Sequence, residues 1–224
     1  MVEFDYIFRY PFMSTKKILV DVGAHIGSFA MPFASNGWQV ICLEPENENF
    51  ARLESNFECF ENVSCLQLAA GEKNANLPFY VSNKHFGIHS LAKWHETHEY
   101  AYDVEVVPLR NIVPNNVTLL KIDVEGAELW ALKGFDFEEQ QPEMIFVEFE
   151  DKRTLKHFGY DRHDLVNYLK PYGYVAKISE WSDGEFATKT RAGTRRHIGI
   201  FDYPLDHEPV WGNFIFTKDI DRER

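Results

Sequence analysis

The chain has 224 residues, 45% of them hydrophobic and 15% aromatic, enough apolar material to close one large core and too short a length to favour two. Its 35 acidic residues against 23 basic ones leave a net charge of −12, which repels polyphosphates and anionic membranes and argues against nucleic acid as a partner. No apolar run approaches the roughly 18–20 residues that span a bilayer, and Glu3 and Asp5 put acids where a signal peptide needs bases. The cysteines Cys42, Cys59 and Cys65 have neither C-x-x-C nor paired spacing, so neither a disulfide framework nor a zinc knuckle is indicated and a cytoplasmic setting is expected.

In chain order, Ile18-Leu19-Val20-Asp21-Val22 is a β-branched run that stops at Gly23, and Gly27 and the apolar stretch 29–34 follow. The order is strand, glycine turn, helix. Residues 39–44 form a second strand broken by Pro45, and Phe50, Leu53 and Phe57 recur at helical spacing over 46–57. A third strand covers 63–68, after which 77–81 and 104–107 suggest a hairpin around a long polar loop, the expected place for substrate contacts. Next come a strand over 118–124, a helix over 125–133 ended by Gly134, and a strand over 144–148. Asp161 caps a helix through Tyr172, and strands at 174–178, 198–201 and 213–217 close the chain. Alternating strands and helices imply an α/β fold, a doubly wound and mostly parallel sheet with antiparallel pieces late. With no repeat or linker, the expected organisation is one domain over 1–224 with 77–107 as a hairpin or lid insertion.

In such a sheet, ligands bind at the carboxyl ends of the strands where the strand order reverses. The spacing Gly23-x-x-x-Gly27 differs from the dinucleotide pattern G-x-G-x-x-G, and no Gly-Lys-Ser/Thr follows, so a cationic nucleoside suits this turn better than a pyrophosphate. Glu44 ends the second strand 21 positions after Gly23, a distance at which an acid accepts the hydroxyls of a ribose.

With these residues in place, the chain resembles the FkbM family of S-adenosylmethionine-dependent methyltransferases. The matching segments are Val20-Asp21-Val22-Gly23-Ala24-His25-Ile26-Gly27, Leu43-Glu44-Pro45-Glu46, the run from Leu119 to Glu128 containing Lys121-Ile122-Asp123-Val124-Glu125-Gly126, and Phe146-Val147-Glu148. His25 stands where members commonly carry Asn. The resemblance implies a seven-stranded methyltransferase sheet and O-methyl transfer to a hydroxyl of a saccharide or secondary metabolite. It implies Asp21, Gly23, His25 and Gly27 around the methionine end of the cofactor, Glu44 and Pro45 at its ribose, Ala69 and Ala70 near its adenine, and Asp123 and Glu125 facing the reaction pocket. Gly87-Ile88-His89-Ser90-Leu91 resembles a family Gly-x-x-Ser-Leu stretch, which makes Ser90 a cofactor or substrate contact.

A hydroxyl becomes a good nucleophile as its proton leaves, so a positioned base is needed. Asp123 is the first candidate and His89 the second. Asp123, Glu125 and Glu148 also end or follow adjacent strands and could gather oxygens for Mg²⁺, although rim carboxylates are commonly just solvated. Other residues have plainer readings: Asp21 as a helix cap, Glu128 as an i,i+4 partner of nearby charges, and Trp94, Trp181 and Trp211 as packing rather than sugar-stacking surfaces. His85, His89, His95 and His98 are spaced by four, six and three residues, which matches no compact zinc signature and suits a polar lid. The expected partner is a small-molecule or glycan acceptor, and nothing in the sequence fixes an oligomeric state. N-methylation is the nearest rival, weakened by the lack of an Asp/Asn-Pro-Pro-Tyr segment, and a non-catalytic nucleoside-binding module is the rival from another class.

Overall fold

A computed structural model describes residues 2–185 and 192–218. The helix α1 (Val2–Arg9) comes first, followed by β1 (Ile18–Val22), α2 (Ala30–Ser35), β2 (Gln39–Leu43), α3 (Asn47–Phe57) and β3 (Val63–Leu66). Then come β4 (Ala69–Ala70), β5 (Ala75–Ser82), β6 (His98–Val107), β7 (Leu119–Ile122), α4 (Glu128–Lys133) and β8 (Met144–Phe149). The chain continues through α5 (Asp151–His157), α6 (Arg162–Leu169), β9 (Tyr174–Trp181), β10 (His197–Asp202) and β11 (Trp211–Lys218).

The main sheet has eight strands in the order β10-β9-β11-β8-β7-β1-β2-β3. From β3 to β8 neighbours run parallel, and β11, β9 and β10 are antiparallel. The seven strands implied by the family resemblance become eight. The strand expected at 198–201 forms as His197–Asp202 and pairs along β9 as an added edge. β5 and β6 form an antiparallel hairpin that a parallel β4 extends into a separate three-stranded sheet.

The order reverses at β1, which lies between β2 and β7 with all five residues buried. Period-two alternation assigns its side chains to the two faces. Val20 and Val22 pack with Ile122, Val147 and Leu132 on one face, while Leu19 packs with Phe33, Leu53, Leu119 and Phe146 on the other. Each such fully buried apolar side chain contributes about 1.5–3 kcal/mol relative to exposure. The same alternation puts Asp21, Lys121 and Glu148 on the face of Leu19, Leu119 and Phe146, so three charges enter the sheet together at its carboxyl end.

Two helices lie outside the elements expected from the sequence. α1 packs Phe4, Ile7 and Phe8 against Phe29 and Phe33, and its Glu3 Oε1 accepts hydrogen bonds from Ser179 Oγ (2.6 Å), Asn213 Nδ2 (3.0 Å) and Trp181 Nε1 (3.1 Å). α5, in the polar run after β8, buries Arg153 and Thr154. Asp161 caps α6 as expected, in a capping box closed by Asp164. Among the described residues, no helix is long and apolar enough to cross a membrane.

Candidate active site

The turn after β1 is fixed from three sides. Gly23 has φ +76°, and a Cβ there would stand 1.8 Å from the backbone oxygen of Asp123. Only glycine combines that conformation with that approach. The N–H groups of Gly23 and Ala24 both donate to the Leu43 carbonyl at 2.9 Å, which ties the tips of β1 and β2 together. His25 is left-handed, with φ 53°, and its N–H donates to Glu44 Oε2 at 2.8 Å. His and Asn both tolerate this region, a physical reason for either at this position. Burial first, then Lys121 and Arg52, lowers the His25 pKa and keeps the ring neutral.

Glu44 is 6% exposed, and its second oxygen accepts the Glu46 N–H at 2.9 Å. Burial pushes its pKa up to about 7, against the pull of those two amides. The oxygens keep further acceptor capacity and line a cleft of about 210 Å³ with Gly23, His25, Ala69, Ala70 and Asp123.

Lys121 braces the floor. Its Nζ donates to the Gly23 carbonyl at 2.7 Å and lies 3.0 Å from Asp21 and 3.7 Å from Asp123. Burial would lower its pKa, but the charges of Asp21 and Asp123 raise it overall. A charge inside the apolar run Leu119–Ile122 can persist only with such partners.

At the tip of β7, Asp123 opens to the cleft with 38% of its side chain exposed. Burial first, and then the Glu148 charge, raise its pKa to about 7, with the remaining water contact moderating the effect. Glu125 is left-handed at φ 58°, a conformation that costs of order 1–3 kcal/mol and is kept where surrounding contacts enforce it. Ser90 Oγ donates to the Glu125 carbonyl at 2.8 Å, and Glu128 accepts the Gly126 N–H at 2.8 Å and the Tyr160 hydroxyl at 2.6 Å. Arg153 donates to both Glu125 and Glu148.

A model of the methyltransferase FkbM domain matches residues 21–176. The chain belongs to the FkbM methyltransferase family. A curated relative, "Methyltransferase 1" of Beauveria bassiana (strain ARSEF 2860), is 31% identical over 147 residues, which cover 54% of this chain and 59% of that protein. The crystal structure of methyltransferase FkbM from Methylobacillus flagellatus KT superposes with a TM-score of 0.53 at 18% identity, over 89% of this chain and 43% of that one. A Streptococcus mutans methyltransferase structure in complex with SAH gives 0.52 at 9% identity, over 97% of both chains. This FkbM chain therefore spans about half the length of the first relatives it matches, and the solved structures speak to its fold.

Within this FkbM domain, the sequence-selected residues separate into those at the cleft and those behind it. Gly23, His25, Glu44, Pro45, Ala69, Ala70, His89, Asp123 and Glu125 line it. Asp21 has no exposed surface and faces Lys121, so it acts on the cleft through that ammonium. Gly27, at φ +86°, gives way to the Phe57 ring, 2.3 Å from where its Cβ would be. Ser90 holds the Glu125 backbone.

His89 Nδ1 accepts the Ser82 N–H at 3.1 Å. That pattern assigns the proton of a neutral ring to Nε2. Glu128 is wholly buried among backbone amides, Tyr160 and Arg153, which replaces the expected surface pairing. The remaining loop histidines meet one another and Trp94 edge-on or tilted. Trp211 packs on Trp181 (5.3 Å) beneath Arg195 (4.2 Å) and donates to Glu148 at 2.8 Å, so its role is packing. Lys121 and Arg153 are not among the site residues that the sequence marks. A lone base inside an apolar strand was the available signal for the first, and none marked the second.

Proposed function

We propose that this chain transfers the methyl group of S-adenosylmethionine to a hydroxyl of a saccharide or secondary metabolite. The observation that carries the proposal is the convergence of Glu44, Asp123 and the Gly23 turn on one cleft at the carboxyl ends of β1, β2 and β7, in a chain of the FkbM family. A fold neighbour was solved with SAH, which fits the same choice of ligand.

S-adenosylmethionine, when bound, supplies a methyl group activated by a positively charged sulfur. The chain's part is to bind, orient and remove a proton. Glu44, clamped by two amides, offers its remaining lone pairs to ribose hydroxyls. The small side chains of Ala69 and Ala70 leave room for a flat base. Glu44 and Asp123 line the cleft with carboxyls whose raised pKa values a nearby positive charge would pull down, which favours a cationic ligand. Asp123 takes the acceptor's hydroxyl proton as the new C–O bond forms, and a pKa near 7 suits a base at ordinary pH. His89, which lines the cleft, is the second candidate base, and the β5–β6 hairpin, whose loop carries it, serves as the lid.

Calorimetry with S-adenosylmethionine, SAH and NAD, followed by assay of SAH release over a panel of glycans and hydroxylated metabolites, tests this. Binding of the sulfur nucleosides in preference to NAD, with turnover on a hydroxyl acceptor, is the expected result. Preference for NAD would overturn the cofactor assignment, and turnover confined to amines would overturn the O-methyl assignment.

A further inference from the structure

Asp123, Glu125 and Glu148 present oxygens that all lie within 4.8 Å of one another. All-oxygen donor sets of this kind hold Mg²⁺ or Ca²⁺ when the carboxylates are free to turn toward the ion. Here two of the three are already turned elsewhere. The guanidinium of Arg153, a residue only 3% exposed, donates one Nη to Glu125 and the other to Glu148. Glu150 lies 3.4 Å and Glu128 3.8 Å from the same group. The Trp94 ring covers it, with its centroid 5.3 Å from Cζ. The third carboxylate, Asp123, has Lys121 Nζ at 3.7 Å.

We propose that Arg153 is the permanent cation of this acidic wall, standing where a divalent metal would otherwise bridge Asp123, Glu125 and Glu148, so that the wall is complete without metal. Three physical points carry this. Guanidinium stays protonated at every ordinary pH, so its occupancy does not depend on conditions. Its planar fork matches carboxylates on two sides, which a compact ammonium does not reproduce. Mg²⁺ demands near-octahedral oxygens at about 2.0–2.1 Å, and Glu125 and Glu148 could meet that only by releasing a buried arginine. Trp94 comes from the loop between β5 and β6, so the same side chain also joins that insertion to the wall.

The test needs no acceptor, so its outcome is separate from that of the methyl-transfer proposal. Mn²⁺ is titrated into the full chain and followed by electron paramagnetic resonance, and thermal melts are run with Mg²⁺ and with EDTA. Wild type is expected to leave Mn²⁺ free and to melt at one temperature in both. Arg153→Met, which keeps much of the stem but removes the charge, is expected to bind one Mn²⁺ and to melt higher with Mg²⁺ than with EDTA. Glu148→Gln in the Arg153→Met background should abolish that gain. Wild type binding one Mn²⁺ that Glu148→Gln removes would overturn the proposal, as would a folded Arg153→Met variant indifferent to both ions. If Arg153→Met does not fold in either solution, the wild-type titration decides: free Mn²⁺ supports the proposal and bound Mn²⁺ refutes it.

Discussion

Gly23→Ala and Gly37→Ala separate backbone strain from crowding at the cleft. The two glycines have nearly the same conformation, φ +76° and +77°, but a Cβ at Gly37 meets nothing within 4 Å whereas one at Gly23 stands 1.8 Å from the Asp123 oxygen. Both substitutions carry the left-handed penalty of roughly 1–2 kcal/mol. For a chain of this size each kcal/mol lowers Tm by about 2–4 °C, so Gly37→Ala should melt a few degrees lower and bind S-adenosylmethionine as wild type does. Gly23→Ala must in addition open the contact from 1.8 Å to the 3.4 Å of ordinary packing, a shift of about 1.6 Å between the tips of β1 and β7. Displacements near 1 Å cost on the order of 100-fold in a positioned reaction, and the shifted backbone is that of Asp123 itself. Melting curves and the rate of methyl transfer measure the two effects. If the two variants agree in Tm and in rate, the close approach does not shape the cleft and the account of Gly23 is wrong.

Glu44 gives a pH signature. Its folded pKa, about 7, lies above its ordinary 4.5, so the folded chain holds that proton more tightly and stability falls as pH rises from 4.5 to 7, by of order 3 kcal/mol. Melts of Glu44→Gln across that range should show a shallower decline than wild type, and parallel curves would contradict the assignment. Methyl transfer should rise with pH through about 7 as Asp123 loses its proton. Asp123→Asn should lower turnover by about 10²–10⁴-fold with little change in cofactor affinity, while His89→Gln, which keeps a donor, should leave the midpoint in place. Tyr160→Phe removes a buried hydroxyl shared by Glu128 and the Gly126 carbonyl and should cost about 1.5–3 kcal/mol in denaturant unfolding. Thiol titration with Ellman's reagent should label exposed Cys59 first, and buried Cys42 only on unfolding.

Much of the fold was legible because its strands are buried on both faces and read as short apolar runs bounded by glycine, proline or acids. β1, β2, β7 and β8 fall within a residue or two of their expected bounds. α5 was not legible: its run Asp151-Lys152-Arg153-Thr154-Leu155-Lys156 looks like a solvated loop, and its packing comes from ion pairs that no hydrophobic period records. α1 differs: Phe4, Ile7 and Phe8 do recur at helical spacing and pack on Phe29 and Phe33, but eight residues are too few for that period to stand out, and Glu3 adds hydrogen bonds to residues almost the whole chain away. At the site, Glu44 and Asp123 stood out because both end apolar strands. Sequence spacing alone did not distinguish a carboxylate that opens to the cleft from Asp21, one turn of the pleat deeper, which is answered by a lysine on the neighbouring strand.

That lysine has a consequence for how a ligand arrives. Acids gathered on adjoining strand ends repel one another, and in an empty hollow they would splay the strands or draw protons. With its ammonium on Asp21, Asp123 and the Gly23 carbonyl at once, Lys121 holds the unliganded chain in its receptive shape. The ordering cost of association is thereby met during folding, so an incoming nucleoside spends little of its interaction energy on rearranging the protein.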